Sequence, residues 1–215
     1  MQKKTKPPLE CRGRSCEVRT QENDGGTSMI VGRPIVYSSP TDIGGYFEEI
    51  IEPGALAGAD LRDVCFLVNH DFGKLPLARA RKGSKLSTMQ LTPDDKGLNI
   101  EVELDTENNT EAATLYSAVK RGDVNGMSFR FSVKRERWDN LQSDYPTRHI
   151  EQIAAVTEVS AVTFPAYEAT EINARGSAPE DARGTLESAR QRESAGTLDG
   201  GALELEKQKI LNMYR

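Results

Sequence analysis

Histidine is nearly absent: the 215 residues hold two, His70 and His149. Zinc centres short of cysteine draw on two or three histidines, so a multi-histidine metal site is not expected. An enzyme needing an imidazole base has two candidates to offer. Cysteine is scarce and odd in number (Cys11, Cys16 and Cys65), which argues for reduced thiols rather than a disulfide framework. No stretch of the chain approaches the ~18 consecutive apolar residues of a membrane-spanning helix. The opening MQKKTKPPLE carries lysines with no apolar core behind them, unlike a secretory signal. Basic clusters are missing too: 28 Lys and Arg against 33 Asp and Glu leave a net charge of −5. Neither nucleic acid nor a membrane is therefore an expected partner.

Aromatic residues are few but sharply placed. Of thirteen, twelve lie between Tyr37 and Tyr167, and the last is Tyr214. Residues 1–27 contain none, and between Gly176 and Thr197 the one large apolar residue is Leu186. Segments so poor in large side chains do not offset the entropy of ordering themselves. The expected organisation is a flexible segment over 1–27, a folded domain over 28–174, and a flexible tail over 175–215 that ends in a short helix near 202–214.

The middle of the chain reads mostly as strand. MIVGRPIVY (29–37) and DVCFLVNH (63–70) are β-branched or aromatic runs bounded by turn residues. KLSTMQLT and GLNIEVELD are joined by Pro93–Gly97, a hairpin signal, and Leu98, Ile100, Val102 and Leu104 alternate with polar neighbours. MSFRFSVKRERW alternates again, and IEQIAAVTEVSAVTF supplies one long strand or two short ones. Only NTEAATLYSAVKRG has helical periodicity, with Asn109 as N-cap and Gly122 past its end. The expected fold is α+β and β-rich: a closed or nearly closed, mostly antiparallel barrel with one or two packed helices and disordered termini.

Three residues stand out for chemistry. His70 follows the apolar strand DVCFLV, where a rigid sheet can hold a side chain over a cleft. Ser128 opens a strand after an Asn-Gly turn; Gly126 clears space beside it, and Arg130 shares its face. The nucleophile elbow of α/β-hydrolases needs glycine where Arg130 stands, which argues against an esterase of that fold. Glu158 lies inside an apolar run, where a carboxylate needs either a partner or an exposed edge. Each also has an ordinary reading: a loop histidine, a strand-start serine, a solvated edge glutamate. Together they name a nucleophile, a base and an orienting acid on separate strands. Cys65, in an apolar strand, reads as an inert thiol.

The ordered set Tyr46–Ala55, Leu67–Asp71 followed by Pro76–Arg79, Gly122–Phe131 and Glu158–Tyr167 resembles the prohead maturation proteases of tailed bacteriophages, related in fold to the herpesvirus assembly protease. The resemblance implies a serine endopeptidase with Ser128 as nucleophile, His70 as general base and Glu158 as orienting acid. His149 is the alternative third member, because the herpesvirus relatives use a second histidine. Gly126 and Arg130 would border the substrate and oxyanion region. No cofactor or metal is implied. The expected substrates are the scaffolding segment of the major capsid protein and the protease itself, inside the procapsid in the host cytoplasm, with self-association or a dimer as a further expectation. The rival expectation is a non-catalytic assembly or scaffolding protein on the same fold. The distance between His70 and Ser128 separates the two.

Overall fold

Period-two alternation accounts for the smaller of two sheets. The computed structural model describes residues 8–15, 18–22, 26–163 and 182–194. Strand β9 (Gly97–Leu104) buries Leu98, Ile100, Val102 and Leu104 and leaves Glu101 and Glu103 exposed. It pairs antiparallel with β8 (Met89–Pro93) across the expected turn. That turn needs glycine: Gly97 has φ +144°, and a Cβ there would lie 2.0 Å from the Ile35 carbonyl oxygen. The other edge of β9 takes β3 (Ser28–Val36), which takes β2 (Val18–Glu22).

Two long strands organise the seven-stranded sheet. These are β10 (Gly126–Asp139) and β11 (Thr147–Val162), antiparallel neighbours. The outer edge of β10 carries β1 (Leu9–Ser15). The far edge of β11 is shared, with β5 (Phe47–Ile51) parallel to its first residues and β6 (Asp63–Val68) parallel to its last. Antiparallel β4 (Thr41–Ile43) extends β5, and β7 (Ala78–Arg81) extends β6. One apolar core joins the sheets, uniting Ile30, Ile35, Leu98 and Ile100 with Phe129, Phe131, Val156 and Val159. Helix α1 (Thr110–Arg121) adds Ala112, Leu115 and Val119 to that core. The Asn109 side chain accepts from the Glu111 and Ala112 amides, and Gly122 closes the helix at φ +81°.

The barrel expectation is overturned. Neither sheet closes: one path runs from β1 to β4, the other from β2 to β8, with open ends, and the seven-stranded sheet is mixed, with β5 and β6 parallel to β11. Alternation reports that each strand has one dry face, which two packed open sheets satisfy as well as a barrel does. Closure requires a consistent shear around a ring, and no single strand encodes that. Here β11 splits its far edge between two parallel partners, so the sheet branches instead of curling round.

The loose termini are corrected as well. Within residues 1–27, β1 and β2 are paired strands. Within 175–215, residues 182–194 form a second helix, α2, that packs Ala182, Leu186 and Ala189 against Ile43, Phe47 and Leu141. Three apolar residues spaced three and four apart suffice for one contact stripe, although composition made the segment look like a linker. The expected helix near 202–214 and the boundary at 174 lie outside the described residues.

Charge, not apolar burial, anchors β1. Arg148 is only 2% exposed and meets three carboxylates: Glu10 at 2.5 and 2.8 Å, Glu49 at 2.9 Å and Glu136 at 2.8 Å. Arg12 forks onto Glu49 at 2.6 and 2.8 Å and reaches Glu10 at 2.7 Å. Burial by itself would raise the Glu10 carboxyl, but hydrogen bonds and charge from Arg148 and Arg12 hold it below its ordinary value. Glu136 is likewise held low, burial being outweighed by Arg148 and Arg192. For Arg148 itself, desolvation is overcome by Glu10, Glu49 and Glu136, and its guanidinium is held above the ordinary arginine value.

Two outcomes are expected from this cluster. Arg148→Met leaves three carboxylates without their shared cation and lowers stability by about 3–5 kcal/mol in urea denaturation. Because Glu10 and Glu136 are depressed in the folded state, their stabilisation is complete above the ordinary value of 4.5 and is lost as pH falls below it. An acid titration followed by circular dichroism should show stability declining below about pH 4.5, and a flat profile there would contradict the network.

Candidate active site

The register of β10 on β11 sets the site. Ser128 lies opposite Ser160, and Arg130 lies opposite Glu158. Directly opposed residues share a face of the sheet, so all four side chains stand on one side, away from Phe129 and Phe131. His70 arrives from a third strand. β6 runs parallel to the end of β11, and the chain leaves it through Asn69 and His70 in left-handed conformation, at φ +50° and +56°. Positive φ is uncommon outside glycine, and asparagine and histidine are among the residues that adopt it most readily. Surrounding bonds hold the turn: the Asn69 amide donates to the Ala161 carbonyl at 2.9 Å, and the Thr163 amide donates to Asn69 Oδ1 at 3.0 Å. The His70 amide donates to Ser160 Oγ at 3.0 Å.

This turn lays the imidazole between the other two groups. Nδ1 is 2.7 Å from Glu158 Oε2, and Nε2 is 2.6 Å from Ser128 Oγ. An ionised carboxylate can only accept, so Nδ1 carries the hydrogen and Nε2 presents its lone pair to the serine hydroxyl. Glu158 is 1% exposed, and its other oxygen, Oε1, accepts from the Ser160 hydroxyl. The buried carboxylate is therefore bonded on both oxygens. Ser128 Oγ has a second neighbour, the Arg12 carbonyl oxygen at 2.9 Å.

The remaining residues singled out from the sequence fall as follows. Gly126 begins β10 two residues before Ser128, buried and opposite Val162. The Arg130 guanidinium lies over the exposed Phe72 ring at 5.0 Å, and its Nε is buried without a hydrogen-bond partner. His149 is elsewhere. It stands nine residues before Glu158 on β11, up to ~30 Å away at strand rise, with Nδ1 2.6 Å from Glu52 and Nε2 3.1 Å from Asp139. Sequence reasoning missed Ser160, Asn69 and the Arg12 carbonyl. Ser160 had a signal, being two residues from Glu158 and so on its face, but the Arg12 carbonyl had none. Among the described residues, no group of three or more His, Cys, Asp or Glu side chains is placed to hold a metal ion. A cavity of about 410 Å³ lies between β1, β10, β11 and α2, and Ser128 and His70 do not line it.

The profile of the caudovirus prohead serine protease family matches residues 14–183. A prohead protease of Enterobacteria phage HK97 is 34% identical over 149 residues, which is 67% of this chain and 59% of that protein. The chain thus spans under two thirds of that relative's length. No solved structure matches it significantly. The chain belongs to the caudovirus prohead serine protease family.

The short hydrogen bond from His70 Nδ1 to a buried carboxylate should give a strongly low-field proton in the NMR spectrum. Glu158→Gln and His70→Ala should each abolish it, while His149→Ala should leave it in place.

Proposed function

We propose that this member of the prohead serine protease family is an endopeptidase acting through Ser128, His70 and Glu158. Its substrates are the scaffolding segment of the major capsid protein and its own chain, within the procapsid assembling in the bacterial host. The observation that carries the reading is the unbroken hydrogen-bonded series from Glu158 through both ring nitrogens of His70 to Ser128 Oγ. The rival reading, an inert assembly component, requires no such contact, and the 2.6 Å separation favours the enzyme.

Catalysis proceeds by acyl transfer. Ser128 Oγ bonds to the carbonyl carbon of the scissile peptide as His70 Nε2 takes the hydroxyl proton. The carbonyl oxygen becomes an oxyanion. His70 then returns the proton to the amide nitrogen as the C–N bond breaks and the amine departs. Water repeats the sequence on the acyl-enzyme: its proton goes to Nε2 and then to Ser128 Oγ, releasing the carboxylate product. Glu158 stays ionised throughout, holding Nδ1–H and stabilising the imidazolium between the two transfers. Ser160 keeps the carboxylate aimed by donating to its other oxygen. Arg130, on the serine's face and anchored on Phe72, supplies positive charge for the oxyanion, and Gly126 leaves room for the substrate backbone.

Co-expression with the major capsid protein, read by mass spectrometry, tests this. Wild type should trim the capsid protein, Ser128→Ala should not, and Glu158→Gln should slow trimming by about ten-thousand-fold. Equal trimming by wild type and Ser128→Ala would overturn the assignment.

A further inference from the structure

The strand that carries Ser128 has two edges. β11 holds one along its whole length, and β1 holds the other from Gly126 to Ser132. A peptide that reaches Ser128 as an added strand, a common mode of peptide recognition, has only the edge that β1 occupies. β1 also brings a peptide carbonyl to the serine. The Arg12 carbonyl oxygen accepts from Ser128 Oγ at 2.9 Å, although that hydroxyl has one hydrogen and His70 Nε2 competes for it. Ser128 is 3% exposed with β1 in place.

The side chain of that residue has a dedicated receptor. Arg12 lies opposite Phe129, so its side chain passes to the face away from Ser128, where Glu49 takes it in a two-point fork and Phe131 lies 5.7 Å beneath the guanidinium. Glu49 is 3% exposed. Its Oε2 is shared with Arg148, but Oε1 is served by Arg12. Two facts bear on how firmly β1 is held. Its one large apolar residue, Leu9, is 45% exposed. Beyond its backbone ladder on β10 its side-chain grip is ionic, and buried ion pairs add little net stability. The groove also continues past Leu9 along the same edge, as the 410 Å³ cavity bordered by Val133, Lys134 and Glu136.

We infer that β1 fills the substrate cleft as an internal stand-in for substrate, and that Glu49 selects a basic side chain on the residue whose carbonyl Ser128 attacks. The inference rests on the proposed function and specifies its substrate: an extended segment bearing Arg or Lys at that position. When β1 lifts away, Glu49 Oε1 loses its cation. A basic substrate residue restores the fork, whereas a neutral one leaves a buried carboxylate oxygen unpaired, and such sites discriminate strongly. β1 and substrate therefore compete, and β1, being tethered, has the advantage of high effective concentration.

The test uses the full chain with Leu9→Cys and Ser132→Cys, residues that are register partners, in a Cys11→Ser, Cys16→Ser background. Paired strand positions lie within disulfide reach. Cleavage of the fluorogenic peptide PLEARGRS, which follows β1 with alanine in place of Cys11, should fall at least ~50-fold on oxidation and return on reduction. Equal rates in both states would overturn the stand-in role. In Arg12→Gln protein, PLEARGRS should exceed PLEAQGRS at least ~100-fold in kcat/KM, and Glu49→Gln should narrow the ratio below ~10-fold. Equal cleavage of the two peptides would overturn the role of Glu49. The disulfide comparison removes no charge, so it stands even if a Glu49 variant fails to fold. A fluorophosphonate probe on the reduced protein separates the two levels. Labelling of Ser128 with indifference to the lock or to arginine refutes this inference alone, and absence of labelling refutes the catalytic reading beneath it.

Discussion

The pairing register of β10 on β11 is the constraint from which the site follows. Ser128 opposite Ser160 and Arg130 opposite Glu158 put four polar side chains on one face, while Phe129, Phe131 and Val159 line the core behind them. A slip of one residue would exchange the faces, sending the phenylalanines outward and the carboxylate into the core. The apolar core therefore enforces the position of the polar groups: the burial that stabilises the sheet is what makes the wrong register costly.

Placing the imidazole takes a different device. A strand side chain stands perpendicular to its sheet and cannot reach sideways to bridge two residues on neighbouring strands. His70 does so because it has already left β6, in a left-handed turn tied down by Asn69, Thr163 and Ser160. Left-handed backbone at a non-glycine residue persists only where its surroundings over-determine it, and three separate hydrogen bonds do that here. Ser160 serves both sides of the arrangement, accepting from the His70 amide and donating to Glu158.

The ion cluster around Arg148 connects the N-terminal strand to this site. Glu10 and Arg12 come from β1, Glu49 from β5, and Glu136 and Arg148 from β10 and β11. Such a cluster specifies which strands lie together more than it stabilises them, since each ion gives up hydration on burial. It is thus suited to holding a strand in register without holding it irreversibly. The same cluster explains why composition misjudged residues 1–27: a search for large apolar side chains does not detect a segment retained by charge.

Local elements and the chemical inventory were legible in the amino-acid order alone. The 97–104 alternation, the caps of α1 at Asn109 and Gly122, and the oddity of a glutamate at 158 are all short-range features, written in neighbouring residues. The choice of His70, Ser128 and Glu158 also came from local context joined to the resemblance, and the fold brings the three together. The open edges of the sheets, the pairing of β1 and the remoteness of His149 emerged only on assembly. Each depends on which strand lies beside which, and contacts between residues as distant as Arg12 and Ser128 leave no mark on the spacing of either. A strand's period tells which way its side chains point. Only the assembled sheet tells what they meet.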